Sequence, residues 1–394
     1  MFEKIVLRRC TSGEAMTLGE IAEAMLFYQN VHLIIDHGLL SGIVDLIGIE
    51  GLLDLLDRNV TATYSPDMLG TSTTKIGAID HHKFIGFQFS GDQEAGQLRG
   101  NHKVIERILV RKGYDKKKAG LLTERFLKRV SVKAIASDKF FPGGICNAAT
   151  LDLYENAFLV EAVNETLFRT EGATRINGLT MEVIPTHAGF HVLSNIDFFA
   201  INTVRSQMAP PREPLTLAHF LQSVFEARAD MMLASHYGGD FRTSDTSSGV
   251  IAVRSRELLH RAGLNLDQIS LFQNVVIAEG RTVKEAINSG DKQFSDFLKL
   301  IDRSDRFKGW ISKIHPDQAI VTAYISEMSR VDWIQSLPAK ILRYSMSTVA
   351  DFIEPLLGTT LSAADTFLLE KLLKGWRPHH FVEKQLKPFV AENR

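Results

Sequence analysis

The chain has 394 residues, 45% of them hydrophobic and 23% charged, with a net charge of −1 and a mean hydropathy of −0.02. These values argue against a disordered chain and against a polyelectrolyte acting over its whole length. The length exceeds one ordinary core, so two domains are expected. The only cysteines, Cys10 and Cys146, are far apart, which excludes a cysteine-only metal cluster and suits a reducing compartment. No signal-type pattern opens the chain, and the longest apolar stretch, Val31 to Leu56, is interrupted by Asp36, Asp45, Glu50 and Asp54. The expectation is a soluble cytoplasmic protein without a transmembrane segment.

In chain order, Glu3 to Arg9 reads as a strand. Thr17 and Glu20 form a capping box before a helix carrying Ile21, Ala22, Met25 and Leu26 on one face. Val31 to Ile35 is a second strand. Leu39, Leu40, Ile43, Val44 and Ile47 recur at helical spacing, and Gly48 and Gly51 are expected to break or kink that helix before Leu52 to Leu56. Val60 to Tyr64 is β-branched and aromatic. Lys75 to Ile79 reads as a further buried strand of the same sheet, and Phe84 to Phe89 as another. Strands alternating with helices point to a mostly parallel sheet with right-handed crossovers.

Between Arg99 and Lys133 stand twelve Lys or Arg residues against three acids, a local charge of +9 that leaves −10 for the rest of the chain. Val104, Ile105, Ile108 and Leu109, then Leu121, Leu122, Phe126 and Leu127, suggest two amphipathic helices joined near Gly113. A helix over 148–168 and a hairpin of 179–184 with 190–196 follow. Proline-rich 206–215 is expected to be a linker. The fold class is therefore an α/β domain over 1–205, with a helical insertion and a hairpin, followed by a mainly helical domain over 216–394. The last helices are expected at 338–357 and from Ser362 to a cap at Gly375. His379-His380 is expected in a turn after them.

Three candidate functions arise. The first is a binding or regulatory role in which Arg107, Arg111, Lys112, Lys116, Lys117, Lys118, Arg125, Lys128 and Arg129 dock on nucleic acid or another polyanion. Aromatic residues are sparse there, Tyr114 and Phe126 only, which favours contact with a phosphate backbone over base reading. The bland alternative is a solvated face whose charge pairs with the acidic remainder.

The second is a phosphodiesterase. Asp36-His37 and Asp80-His81-His82 each follow an apolar run, and carboxylate with imidazole can hold a divalent metal such as Mn or Mg that activates water. The tripeptide Asp80-His81-His82 resembles the signature of the DHH phosphoesterases, which implies a metal held by Asp36, His37, Asp80, His81 and His82. That family's earlier Asp-x-Asp is here Asp36-His37, and its Gly-rich substrate motif has no counterpart. His81-His82-Lys83 is also similar to the His-x-Lys of phospholipase D-like enzymes. That resemblance implies His81 as a nucleophile with Lys83 beside it, and a dimer to complete the site. The family's later Asp is here Gln88. The bland reading is that these groups hydrogen-bond locally at strand ends. The third candidate is an effector acting by association or at a membrane surface, with Leu356 to Leu361 as a membrane-touching hairpin between C-terminal helices.

Overall fold

The computed structural model describes residues 2–10, 16–77, 79–88, 96–171, 175–208, 212–277, 281–314, 319–329 and 376–391. The chain divides into two compact units. One comprises Ile5–Met16 and Val31–Ala262, the other Met1–Lys4, Thr17–Asn30 and Gly263–Arg394. The linker expected at 206–215 thus falls inside the larger unit. A parallel sheet with helices in the N-terminal part and a helical C-terminal region agree with the α/β-plus-helical fold class.

The larger unit holds two sheets. The first has the order β6-β3-β2-β1-β9, built from β1 (Lys4–Arg8), β2 (Asn30–Ile35), β3 (Val60–Tyr64), β6 (Ser131–Val132) and β9 (Asp240–Phe241). The pairs β1–β9, β2–β3 and β3–β6 are parallel. Val31 to Ile35 is buried at every residue, as a strand covered on both faces requires. The second sheet has the order β4-β5-β8-β7 and is antiparallel throughout: β4 (Asp67–Ile76), β5 (Ile79–Gln88), β7 (Met181–Pro185) and β8 (Phe190–Ser194).

The second sheet corrects one expectation. Lys75 to Ile79 is no strand of the parallel sheet but the tip of the β4–β5 hairpin, where Ile76 pairs with Ile79 around Gly77 at φ 66°. Both isoleucines are exposed, so the apolar run that mimicked a buried strand lies in solvent. One core serves both sheets: Val6 and Ile34 of the first join Leu69, Phe84, Phe190 and Val192 of the second. Phe158, Leu221 and Phe225 from helices fill the same core.

Helix α2 (His37–Leu56) is capped by Asp36, whose carboxylate accepts from Leu39 N at 2.7 Å. The kink expected at Gly48 is present, at φ 70°. There the Tyr114 hydroxyl accepts from Ile49 N at 3.2 Å and donates to Glu50 at 2.8 Å, so it satisfies a backbone donor the break sets free. A Cβ on Gly48 would sit 2.9 Å from that hydroxyl. The two basic helices are α3 (Gly96–Arg111) and α4 (Lys116–Leu127), turned at Gly113 with φ 92°. The single helix expected over 148–168 is two, α5 (Gly144–Leu153) and α6 (Asn156–Glu171). Helix α8 (Leu217–Tyr237) ends at Gly238 in the left-handed region. A further helix, Asp245–Arg254, is N-capped by Ser244.

In the smaller unit, Thr17 and Glu20 make the expected capping box on helix α1 (Leu18–Phe27), and Thr282 caps Val283–Asn288 in the same way. Phe272, Phe307 and Tyr324 pack as a cluster of rings. His379 and His380 lie in a short helix, Pro378–Phe381, rather than a turn. The helices expected at 338–357 and 362–375, and the hairpin at 356–361, lie outside the described residues. No helix among the described residues is long and apolar enough to cross a membrane.

Candidate functional site

The basic segment folds as two helices with their apolar faces inward: Val104, Ile105, Ile108 and Leu109 from α3, Ala119, Leu122 and Phe126 from α4. Phe126 meets Tyr64 of β3 edge-on, with ring centroids 6.0 Å apart. All nine cations singled out in the sequence are exposed. Four of them are paired. Lys112 bonds Asp45, Lys118 lies 2.8 Å from Glu50, and Arg129 grips Asp57 through two bonds of 2.7 and 3.1 Å. Lys128 lies a looser 3.8 Å from Glu124 one turn back. Asp45, Glu50 and Asp57 all belong to α2 or its C-cap, so α2 is the acidic counterpart of the basic segment. Burial would raise the Glu50 carboxyl, but hydrogen bonds from Lys118 and Tyr114 hold it below the ordinary range. The bond from Arg129 does the same for Asp57.

Arg107, Arg111, Lys116, Lys117 and Arg125 make no ion pair among the described residues. Arg107 and Arg111 stand one turn apart on α3. Lys116 and Lys117 occupy the first turn of α4, whose backbone Asp115 caps at 3.0 Å. Cations there face the positive end of the helix dipole, an arrangement that an anion would relieve. The two aromatic groups are spoken for: the Tyr114 hydroxyl is tied to α2, and Phe126 is buried.

The five residues of the candidate metal set do not come together. Asp36 and His37 leave the parallel sheet, whereas Asp80, His81 and His82 open β5 of the other. Asp36 is occupied by the Leu39 N–H and by Arg9, whose Nε donates to it at 3.2 Å. Burial lowers the His37 imidazole below its ordinary value; Asp36 opposes this, and the charges of Arg111 and Arg9 add to it. Within β5 the strand alternation splits the tripeptide: His81 and Lys83 point to the outer face, His82 to the core. His81 Nε2 bonds the Thr186 hydroxyl at 2.8 Å and His82 Nδ1 the Thr73 hydroxyl at 2.9 Å. Among the described residues no three His, Cys, Asp or Glu side chains gather so as to hold a metal ion.

No protein family matches this chain, and neither a curated protein nor a solved structure is similar to it. The geometry therefore stands by itself, and it brings forward two clusters that sequence reasoning missed. In the first, His32 is buried in β2 between Thr61 at 2.7 Å and Thr63 at 3.1 Å, with its ring stacked on Tyr237 at 3.8 Å. The Thr63 hydroxyl bonds Ser131 and Tyr237, each at 2.8 Å. A histidine inside an otherwise apolar strand was the available signal. The second lies at the carboxyl ends of β1 and β9, where the strand order reverses and open α/β sheets form their crevice. Here the Arg8 guanidinium donates to Asp230 at 2.8 and 2.9 Å and to the Glu226 carbonyl at 3.5 Å, with both carboxylate residues buried. Burial drives the Asp230 carboxyl up and Arg8 pulls it back. Burial also pushes the Cys10 thiol up to about 12, which disfavours its thiolate. No local sequence pattern announces this cluster, because its members are joined only by the fold.

Proposed function

We propose that the protein binds a polyanion, with nucleic acid as the leading example, through α3 and α4. The observation that carries the reading is the set of five exposed cations, Arg107, Arg111, Lys116, Lys117 and Arg125, that α2 leaves without an ion pair. The occupied aromatic groups support contact with phosphates rather than with bases, hence binding with little sequence preference. The pairing of Lys112, Lys118 and Arg129 with α2 supports a smaller electrostatic footprint than the nine cations suggest. Five phosphate contacts correspond to a slope of log affinity against log salt no steeper than about −4.5 on duplex DNA.

The test is fluorescence anisotropy with labelled duplex and single-stranded oligonucleotides across a salt series. The expected result is affinity that falls with salt, and a variant carrying Arg107→Ala, Arg111→Ala, Lys116→Ala and Lys117→Ala that binds at least about ten-fold more weakly with a shallower slope. Salt-independent binding, or equal binding by the variant, overturns the reading.

A further inference from the structure

The two hairpins of the antiparallel sheet meet along a very short seam. β4 and β5 pair over ten residues each, and β7 and β8 over five, but β5 and β8 join through two register pairs only, His81 with His191 and His82 with Phe190. Three of the four residues in the seam are histidines. On the outer face the His81 and His191 rings meet edge-on, 5.2 Å between centroids. His81 Nε2 bonds Thr186 of the β7–β8 turn at 2.8 Å, and His191 Nδ1 donates to the Asp80 carbonyl at 2.9 Å. On the inner face His82 is 1% exposed; its Nδ1 bonds Thr73, and its buried Nε2 has no partner. Gly189 lets the hairpins approach, since a Cβ there would lie 2.2 Å from the His82 carbonyl oxygen and 2.8 Å from the His81 ring.

We propose that this seam is an acid-operated joint, in which protonation of His81, His82 and His191 parts the β7–β8 hairpin from β5. A protonated imidazole has two donors. The second donor of His82 would point into the core with nothing to accept it, which is costly. Protonated His81 and His191 would place like charges side by side across the seam. The charged groups around His82 are few. Asp80, on its own strand, opposes the effect, and His81 and His191 reinforce it. Strand β4 contributes Thr73 and, opposite Asp80, Lys75; Lys83 follows on β5, and His187 stands in the β7–β8 turn. Beneath the seam β8 presents Phe190, and α8 presents Phe225 stacked on Phe84. Helix α5 packs against β5; its Asp152 is held by Arg228 and Arg254, and its Cys146 thiol is pushed up by burial. Among the described residues the buried acids of α8 and β4 are engaged elsewhere, Glu226 by Gln222 and Asp67 by Ser65 and the Ala136 N–H, and Asp80 is the one acid that acts on a charge at His82.

The test is hydrogen exchange read by mass spectrometry on the full chain at about pH 7.5 and about pH 5, corrected for intrinsic rates, with β2 and β3 as internal reference. The expected result is that protection of residues 79–84 and 189–193 drops at least ten-fold in acid while β2 and β3 keep theirs. A variant carrying His81→Gln, His82→Gln and His191→Gln should show no such drop. Equal protection at both pH values, or the same drop in the variant, overturns the joint. Should that variant fail to fold, the wild-type histidine resonances decide. A His82 ring that titrates below a free imidazole, in step with loss of the seam amides, supports the joint; one that titrates at or above it overturns it.

Discussion

The same pair of residue types, aspartate followed by histidine, ends up in two regions of opposite character. Asp36-His37 leaves a parallel strand buried on both faces and starts a twenty-residue helix. Asp80-His81 opens an antiparallel strand at the exposed tip of a hairpin. In the first place the carboxylate caps a helix and holds an arginine. In the second it stands in solvent while its neighbours alternate between two faces. What a short motif can do is thus set by its place in the strand: past the end of a parallel strand, consecutive residues gather at the carboxyl edge, whereas inside a strand they are dealt to opposite faces.

Substitutions can break that contrast. The largest effect is expected at the carboxyl end of β1 in the parallel sheet. Arg8→Ala leaves Asp230 buried and uncompensated, so chemical denaturation should show a loss of about 3–5 kcal/mol. A loss below about 1 kcal/mol would mean that Asp230 finds another partner or a proton. Next comes the antiparallel seam, where Gly189→Ala forces a Cβ against the His82 carbonyl and should cost about 2–3 kcal/mol by the same measurement. Asp36→Ala removes a helix cap and the partner of Arg9, for about 1–2 kcal/mol. Asp80→Ala should cost less than about 0.5 kcal/mol, as an exposed group without those roles. Equal costs at Asp36 and Asp80 would erase the distinction between the two sites.

The last effect is a pH dependence. Burial holds His82 below its ordinary value in the folded state, so the unfolded chain takes up the proton more readily. Its contribution to stability is present above about pH 6.5 and is lost as the pH falls below that value. Denaturation midpoints measured through this range should decline less steeply in His82→Gln than in the wild type.

Much of the fold was legible because its signals are local. Thr17 and Glu20 sit three apart, the apolar residues of α2, α3 and α4 recur at helical spacing, and Gly48 breaks α2 where it stands. The β7–β8 hairpin follows from alternation around Thr186 to Gly189. The β4–β5 hairpin was misread because Ile76 and Ile79 flank its tip, and an exposed cross-strand pair has the same composition as a buried strand. β9 is two residues long and exists only because β1 pairs with it. Of the candidate site, the cations were readable as a charge run. Their division into paired and unpaired sets was not, since Asp45, Glu50 and Asp57 lie more than sixty residues away along the chain. His81 and His82 were visible together in one tripeptide, but nothing short of strand register places His81 beside His191.

The pairing of Ile5 with Asp240 also bears on how the chain comes to be made. A ribosome releases β1 more than two hundred residues before β9. Until then one side of β1 is an open edge, able to pair with any strand that reaches it, and the closing contact spans one of the longest loops in the larger unit. Such late, distant pairings slow folding and lengthen exposure to misassembly. A chain halted before Asp240 should therefore be prone to aggregate.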